Sequence, residues 1–155
     1  MLKIYIFSIT FAFGFSLLGL LINNLIKNKP FYKNVSHLNF IKSGAANRYL
    51  GVLIFRKIVI NSFWRHFNPA LKITERPNRN KLLMLRNEMT HAEISHLIAF
   101  VFAVITILVI KNKNHLYNDA FIPIVVFSVI FHVYPPLVQQ YNKRRLDKII
   151  DRISR

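Results

Sequence analysis

The sequence predicts an all-α integral membrane protein with about three transmembrane helices plus one interfacial or re-entrant amphipathic helix. Hydrophobic residues make up 53% of the 155, and they gather in three long runs instead of recurring at helical or strand spacing. Lys and Arg number 22 against six acidic residues, a net charge of +16, and they crowd the segments flanking those runs. No linker-like stretch divides the chain, so a single membrane domain over residues 1–155 is expected.

The first run, residues 4–26, has enough length to cross about 30 Å of hydrocarbon at about 1.5 Å per residue. It is longer than the apolar core of a signal peptide, only Lys3 precedes it, and no small-x-small cleavage site follows, so it reads as a membrane anchor. Within it Ser8, Ala12, Ser16 and Gly19 recur at three- and four-residue steps, a stripe of small side chains suited to close helix packing.

Residues 27–47 are polar and basic and suit a loop or short interfacial pieces. The apolar stretch 49–60 is too short to span and contains Arg56 and Lys57. It leads into Asn61-Ser-Phe-Trp-Arg-His-Phe-Asn-Pro69, where aromatic and basic side chains alternate as in headgroup-level helices. An interfacial or re-entrant helix is therefore expected over about 49–68.

After a polar connection containing Pro77, a helix starting near Asn80 continues without a break into a second span over about 94–110. A polar hairpin then leads to a third span over about 120–138. Pro123 and Tyr134-Pro135-Pro136 should kink it, and a basic amphipathic tail, 139–155, closes the chain.

Counting Lys and Arg orients the three spans. Residues 27–86 hold 13 and the tail holds six, whereas the N-terminus and the 111–119 hairpin together hold three. The N-terminus is thus expected outside and the C-terminus in the cytoplasm. The same placement argues against nucleic acid as a partner, because the basic residues sit where anionic headgroups attract them. The chain has no cysteine, which excludes disulfides, thiolate metal sites and cysteine nucleophiles.

The densest polar cluster is Glu88-Met-Thr-His-Ala-Glu-Ile-Ser-His96, where the second span enters the membrane. On an α-helix Glu93 and His96 lie about 60° apart, and Glu88 about 80° from His96, so these three share a face while His91 falls to the flank. Ionisable groups at membrane depth are costly, which marks the cluster as a candidate catalytic site. Both E-x-x-H pairs stand on one helix, whereas a di-iron centre takes one pair from each of two. No resident metal or cofactor is expected.

A second polar stripe closes the third span: Ser128, His132, Gln139 and Asn142, followed by Tyr141 and Arg145. Gln139, Asn142 and Arg145 should emerge at the same interface as Glu93 and His96, giving one pocket. Trp64, Arg65 and Asn68 sit at that level and are candidate substrate contacts. There is no G-x-S-x-G, Walker A or G-x-G-x-x-G pattern, so covalent serine catalysis and nucleotide binding of those types lack support.

Ala92-Glu93-x-x-His96 preceded by Glu88, then a hydrophobic hairpin, then Gln139-x-Tyr141-Asn142-x-x-Arg145-Leu146, resembles the small membrane acyltransferases of staphyloxanthin-type carotenoid synthesis, the glycosyl-diaponeurosporenoate acyltransferases. The similarity covers roughly residues 50–150. It implies transfer of a fatty acyl chain to a sugar hydroxyl of a glycosylated carotenoid in a bacterial cytoplasmic membrane. On that basis His96, oriented by Glu93 or Glu88, is expected as general base. Gln139, Tyr141, Asn142 and Arg145 are expected to hold the donor, which would be acyl-CoA, acyl carrier protein or a phospholipid. The acceptor is lipid-like, anionic membrane lipids gather at the basic face, and homo-oligomers are compatible with this reading. Two other readings remain: a non-catalytic membrane subunit or lipid-binding module, and a metal-dependent lipid-modifying enzyme.

Overall fold

The computed structural model describes residues 1–64, 78–113 and 118–153, and among these the chain is helical with no strand. Three helical stretches are long and apolar enough to cross a membrane. The first is α1, Leu2–Ile26. Two short helices, α2 (Tyr32–Val35) and α3 (Gly44–Tyr49), precede α4 (Val52–Asn61). The long α5 spans Arg79–Lys113, and α6 (Asn118–Ser128) passes through a π-helical turn, Val129–Val133, into α7 (Tyr134–Ile153).

The small side chains of α1 set its packing. Ser8, Ala12, Gly19 and Asn23 are its buried residues, and α1 lies against α5 and α6. A Cβ on Gly19 would press into the Ser95 carbonyl and stand 2.9 Å from the Ala99 Cβ, so only glycine permits this approach. Ala99 and Ala103 are fully buried, while Leu17, Leu21 and Leu25 of α1 are exposed, as expected where lipid covers the outer face.

At 35 residues α5 is about 52 Å long, more than a bilayer's hydrocarbon thickness. Its N-terminal half therefore extends beyond the apolar layer. There Leu82 and Met89 pack with Leu146 and Ile150 of α7, and Arg86 pairs with Asp147 at 2.6 Å. The segment 139–155, expected as a basic tail, is helical as far as Ile153 and packs on α5 through Leu146 and Ile150. Its amphipathic pattern has a protein partner, so it does not hang free.

The helix expected over 49–68 is also reorganised. Tyr49 ends α3, Gly51 takes a left-handed conformation (φ 72°) that a side chain would disfavour, and α4 runs only from Val52 to Asn61. Arg56 of α4 bonds Asn142, Phe55 stacks on Tyr134 at 5.0 Å, and Trp64 reaches Phe13 and Phe131 at 5.7 and 6.1 Å. Phe13 lies midway along α1. As far as Trp64, this segment therefore runs beside α7 from the Asn142 end toward Phe131 and the middle of α1.

The prolines do not break the third span. Pro123 sits inside α6, and the π-helical turn immediately precedes Tyr134-Pro135-Pro136. The Tyr134 N–H bonds the Val129 carbonyl five residues back, so the chain widens by one residue where proline supplies no N–H.

Candidate active site

The wide turn has a chemical consequence. In α-helical register the Phe131 carbonyl would accept from residue 135, and in π register from residue 136; both are proline and have no N–H. The carbonyl is free for a side chain, and the His96 ring hydrogen-bonds the Phe131 backbone. The other ring nitrogen, His96 Nδ1, is buried and has no partner among the described residues. A neutral ring that carries its proton on Nε2 keeps the lone pair on Nδ1.

Across from His96 stands His132, in the π-helical turn itself, with ring centroids 6.3 Å apart. His132 is 0% exposed, and neither of its nitrogens has a hydrogen-bond partner among the described residues. One turn back along the same helix, Ser128 Oγ is buried and unpartnered as well. Elsewhere Ser8, Thr90 and Ser95 turn their hydroxyls onto the carbonyl four residues earlier, the usual outlet for a helical hydroxyl.

Glu93 belongs to a different arrangement. Its Oε1 accepts from Gln140 Nε2 at 2.7 Å, its Oε2 pairs with Lys143, and all three residues are buried. Lys143 Nζ also donates to the Ser36 carbonyl at 2.9 Å, and Gln140 Oε1 accepts from the Phe40 N–H at 2.8 Å. Arg144 bonds Asn39, and Arg86 reaches His37 at 3.4 Å. The segment following α2 is thereby stitched to α5 and α7. Burial pushes the phenol of Tyr32, on α2, above its ordinary pKa, partly offset by Asn23.

The other expected site residues are dispersed. Glu88 is exposed and makes no hydrogen bond or ion pair among the described residues, and Glu93 is committed to Gln140 and Lys143. Neither carboxylate touches His96 among the described residues, and the ring lies against the Phe131 backbone. His91, on the flank, meets Asn24 at 3.1 Å, while Asn23 bonds the His91 carbonyl and Ser95 Oγ. Gln139 is buried, Asn142 accepts from Arg56 at 3.0 Å, and Tyr141 lies beneath both Arg144 and Arg145 at 5.9 Å. Arg145 is exposed. Trp64 stacks on Phe13, and Arg65 and Asn68 fall outside the described residues.

Sequence reasoning missed Gln140 and Lys143 by one residue each. Counting about 100° per residue from His132 puts Gln139 and Lys143 about 20° away but Gln140 about 80° away. Gln140 therefore lies off the counted face, while Lys143 reads by residue type as the start of the basic tail; the π-helical turn widens the helix ahead of both. Pro135-Pro136 after a polar residue was the available signal. Among the described residues no three His, Asp or Glu side chains group so as to hold a metal ion.

A family model described as glycosyl-4,4'-diaponeurosporenoate acyltransferase matches residues 27–152, a longer stretch than the motif resemblance covered. No curated protein and no solved structure matches the chain. The matched region takes in α2 through nearly all of α7, both histidines and the Glu93 clamp, so this membrane protein belongs to the glycosyl-4,4'-diaponeurosporenoate acyltransferase family and is an acyltransferase.

Proposed function

We propose that the protein moves a fatty acyl chain from an activated donor to a sugar hydroxyl of a glycosylated carotenoid-type acceptor, with His96 as general base. The observation that carries this reading is the unpartnered, buried Nδ1 of His96, on a ring set against the Phe131 backbone. A free lone pair shielded from water is what proton abstraction from an alcohol requires. The acceptor oxygen attacks the acyl carbonyl carbon as its proton passes to Nδ1. The carbonyl re-forms as the bond to the leaving group breaks, and His96 returns the proton to that group.

Glu93, with Lys143 and Gln140, serves to lock α5, α7 and the segment after α2 around the histidines. Arg145, exposed over Tyr141, supports a phosphate-binding role at the polar end of α7. His132 to Arg145 spans about 20 Å of helix axis. A donor must then carry its phosphate far from its acyl carbon. Acyl-CoA and acyl carrier protein do so through a pantetheine arm, whereas a phospholipid's phosphate lies a few bonds from its ester, so the phosphopantetheine donors are favoured. The basic face, with 19 of the 22 Lys and Arg in residues 27–86 and 139–155, supports a cytoplasmic C-terminus and an external N-terminus in a bacterial cytoplasmic membrane.

The test is His96→Ala in detergent-purified protein. Loss of acylated product with unchanged thermal unfolding is expected; unchanged turnover would discard His96 as base.

A further inference from the structure

His132 is used by nothing described so far, and among the described residues it is the one side chain with two buried, unpartnered nitrogens. A histidine with no exposure and two unpartnered ring nitrogens inside a transmembrane bundle is destabilising unless something polar meets it during function. Ser128 adds a third unpartnered atom on the same helix, and it forgoes the backbone bond that Ser8, Thr90 and Ser95 make. Together with His96 Nδ1 this makes four unsatisfied polar atoms, on two neighbouring rings and on a hydroxyl one turn from His132.

We infer that His132 and Ser128 are the oxyanion-binding half of the reaction centre, donating hydrogen bonds to the acyl carbonyl oxygen while His96 takes the acceptor's proton. The inference rests on the reading of His96 as base. A neutral imidazole always has one N–H, so His132 donates from whichever nitrogen faces the substrate, and the Ser128 hydroxyl supplies a second donor. With their centroids 6.3 Å apart, the two rings are close enough for a nitrogen of each to reach, across about 3 Å, the two oxygens of one carbon seated beside the pair. When the acceptor oxygen attacks, the carbonyl π electrons move onto the oxygen facing His132. They return as the donor's C–S or C–O bond breaks, and the proton held by His96 leaves with the departing thiolate or alkoxide. The π-helical turn serves both halves, freeing the Phe131 carbonyl for His96 and carrying His132.

The experiment compares wild-type, His96→Ala, His132→Phe and His132→Gln proteins, full length in detergent. Each is assayed with whichever of palmitoyl-CoA or phosphatidylglycerol the wild type turns over, and each is followed by thermal unfolding. Removing one oxyanion donor costs about 100- to 1000-fold in turnover number, so His132→Phe should lose that much kcat with KM nearly unchanged. His132→Gln, which restores an N–H, should recover at least tenfold of the loss. The His132→Phe protein should melt about 2–4 °C higher, because unpartnered buried nitrogens have been removed. Near-normal kcat in His132→Phe would overturn this inference while leaving His96 untouched. Equal inactivity of both His132 variants with lowered melting would also overturn it, assigning His132 to packing. Full activity of His96→Ala would instead remove the base reading beneath it.

Discussion

Lys143 of α7 crosses to Glu93 of α5, and the two side chains are 4% and 0% exposed, so the ion pair that joins the helices is almost wholly removed from solvent. Such a pair yields little net stabilisation over an apolar pair, but leaving one charge buried alone is costly. Lys143→Met should therefore destabilise by about 3–5 kcal/mol, lowering the unfolding midpoint in detergent by about 10 °C. Adding Glu93→Leu should restore most of that loss. If the double variant melts as low as the single one, the cost belongs to packing and not to the stranded carboxylate.

The α1–α5 seam gives a second prediction. Because a Cβ at Gly19 would strike the Ser95 carbonyl and the Ala99 side chain, Gly19→Leu should force the helices apart and break the bonds from Asn23 to the His91 carbonyl and Ser95. Overpacking of this kind costs about 1–3 kcal/mol. At Gly14 the space a Cβ would occupy has nothing within 4 Å, so Gly14→Ala should be neutral or slightly stabilising. Thermal unfolding of the two variants side by side checks the contrast.

The three spans and the small-residue face of α1 were legible because the bilayer acts on composition, and Ser8, Ala12 and Gly19 needed no tertiary information to be found. Glu93 and His96 stood out for the same reason: titratable groups in an apolar run are conspicuous. Their partners were hidden for two physical reasons. Gln140 lies off the face counted from His132, and Lys143 stands first in a basic run that reads as a solvated tail. Ser36, Phe40 and Phe131 act through backbone groups, which every residue type offers equally. The shared face that helical geometry gives Glu93 and His96 does not make them partners, because Lys143 and Gln140 claim the carboxylate first.

The proposed role of Arg145 in holding a donor phosphate can be separated from chemistry by kinetics. Arg145 is exposed and lies about 20 Å of helix from His132, so Arg145→Glu should raise KM for palmitoyl-CoA while changing kcat little. The wild-type KM should also rise with added salt, and the variant's should rise less, since screening acts on exposed charges. A variant with lowered kcat and unchanged KM would place Arg145 in the reaction itself and would remove the argument for a long phosphopantetheine arm.

The π-helical turn can be tested by subtraction. A single residue separates it from ordinary α-helix, and Ile130 within it is 36% exposed on the outer side of the bundle, so deleting Ile130 removes the surplus at little cost in buried contacts. The helices on either side would keep their facing, with Gln140 and Lys143 still directed at Glu93. The unfolding midpoint should then stay within about 4 °C of wild type. The Phe131 carbonyl and the His132 ring, however, sit inside the altered turn and would move relative to His96. Misplacement of a catalytic group by about 1 Å costs on the order of 100-fold in rate, so turnover should fall by about that factor in a folded protein. Retained activity would mean that the wide turn is only an accommodation of Pro135 and Pro136; a large drop in melting would mean that it sets the register of α7 against α5 and not the geometry of the histidines.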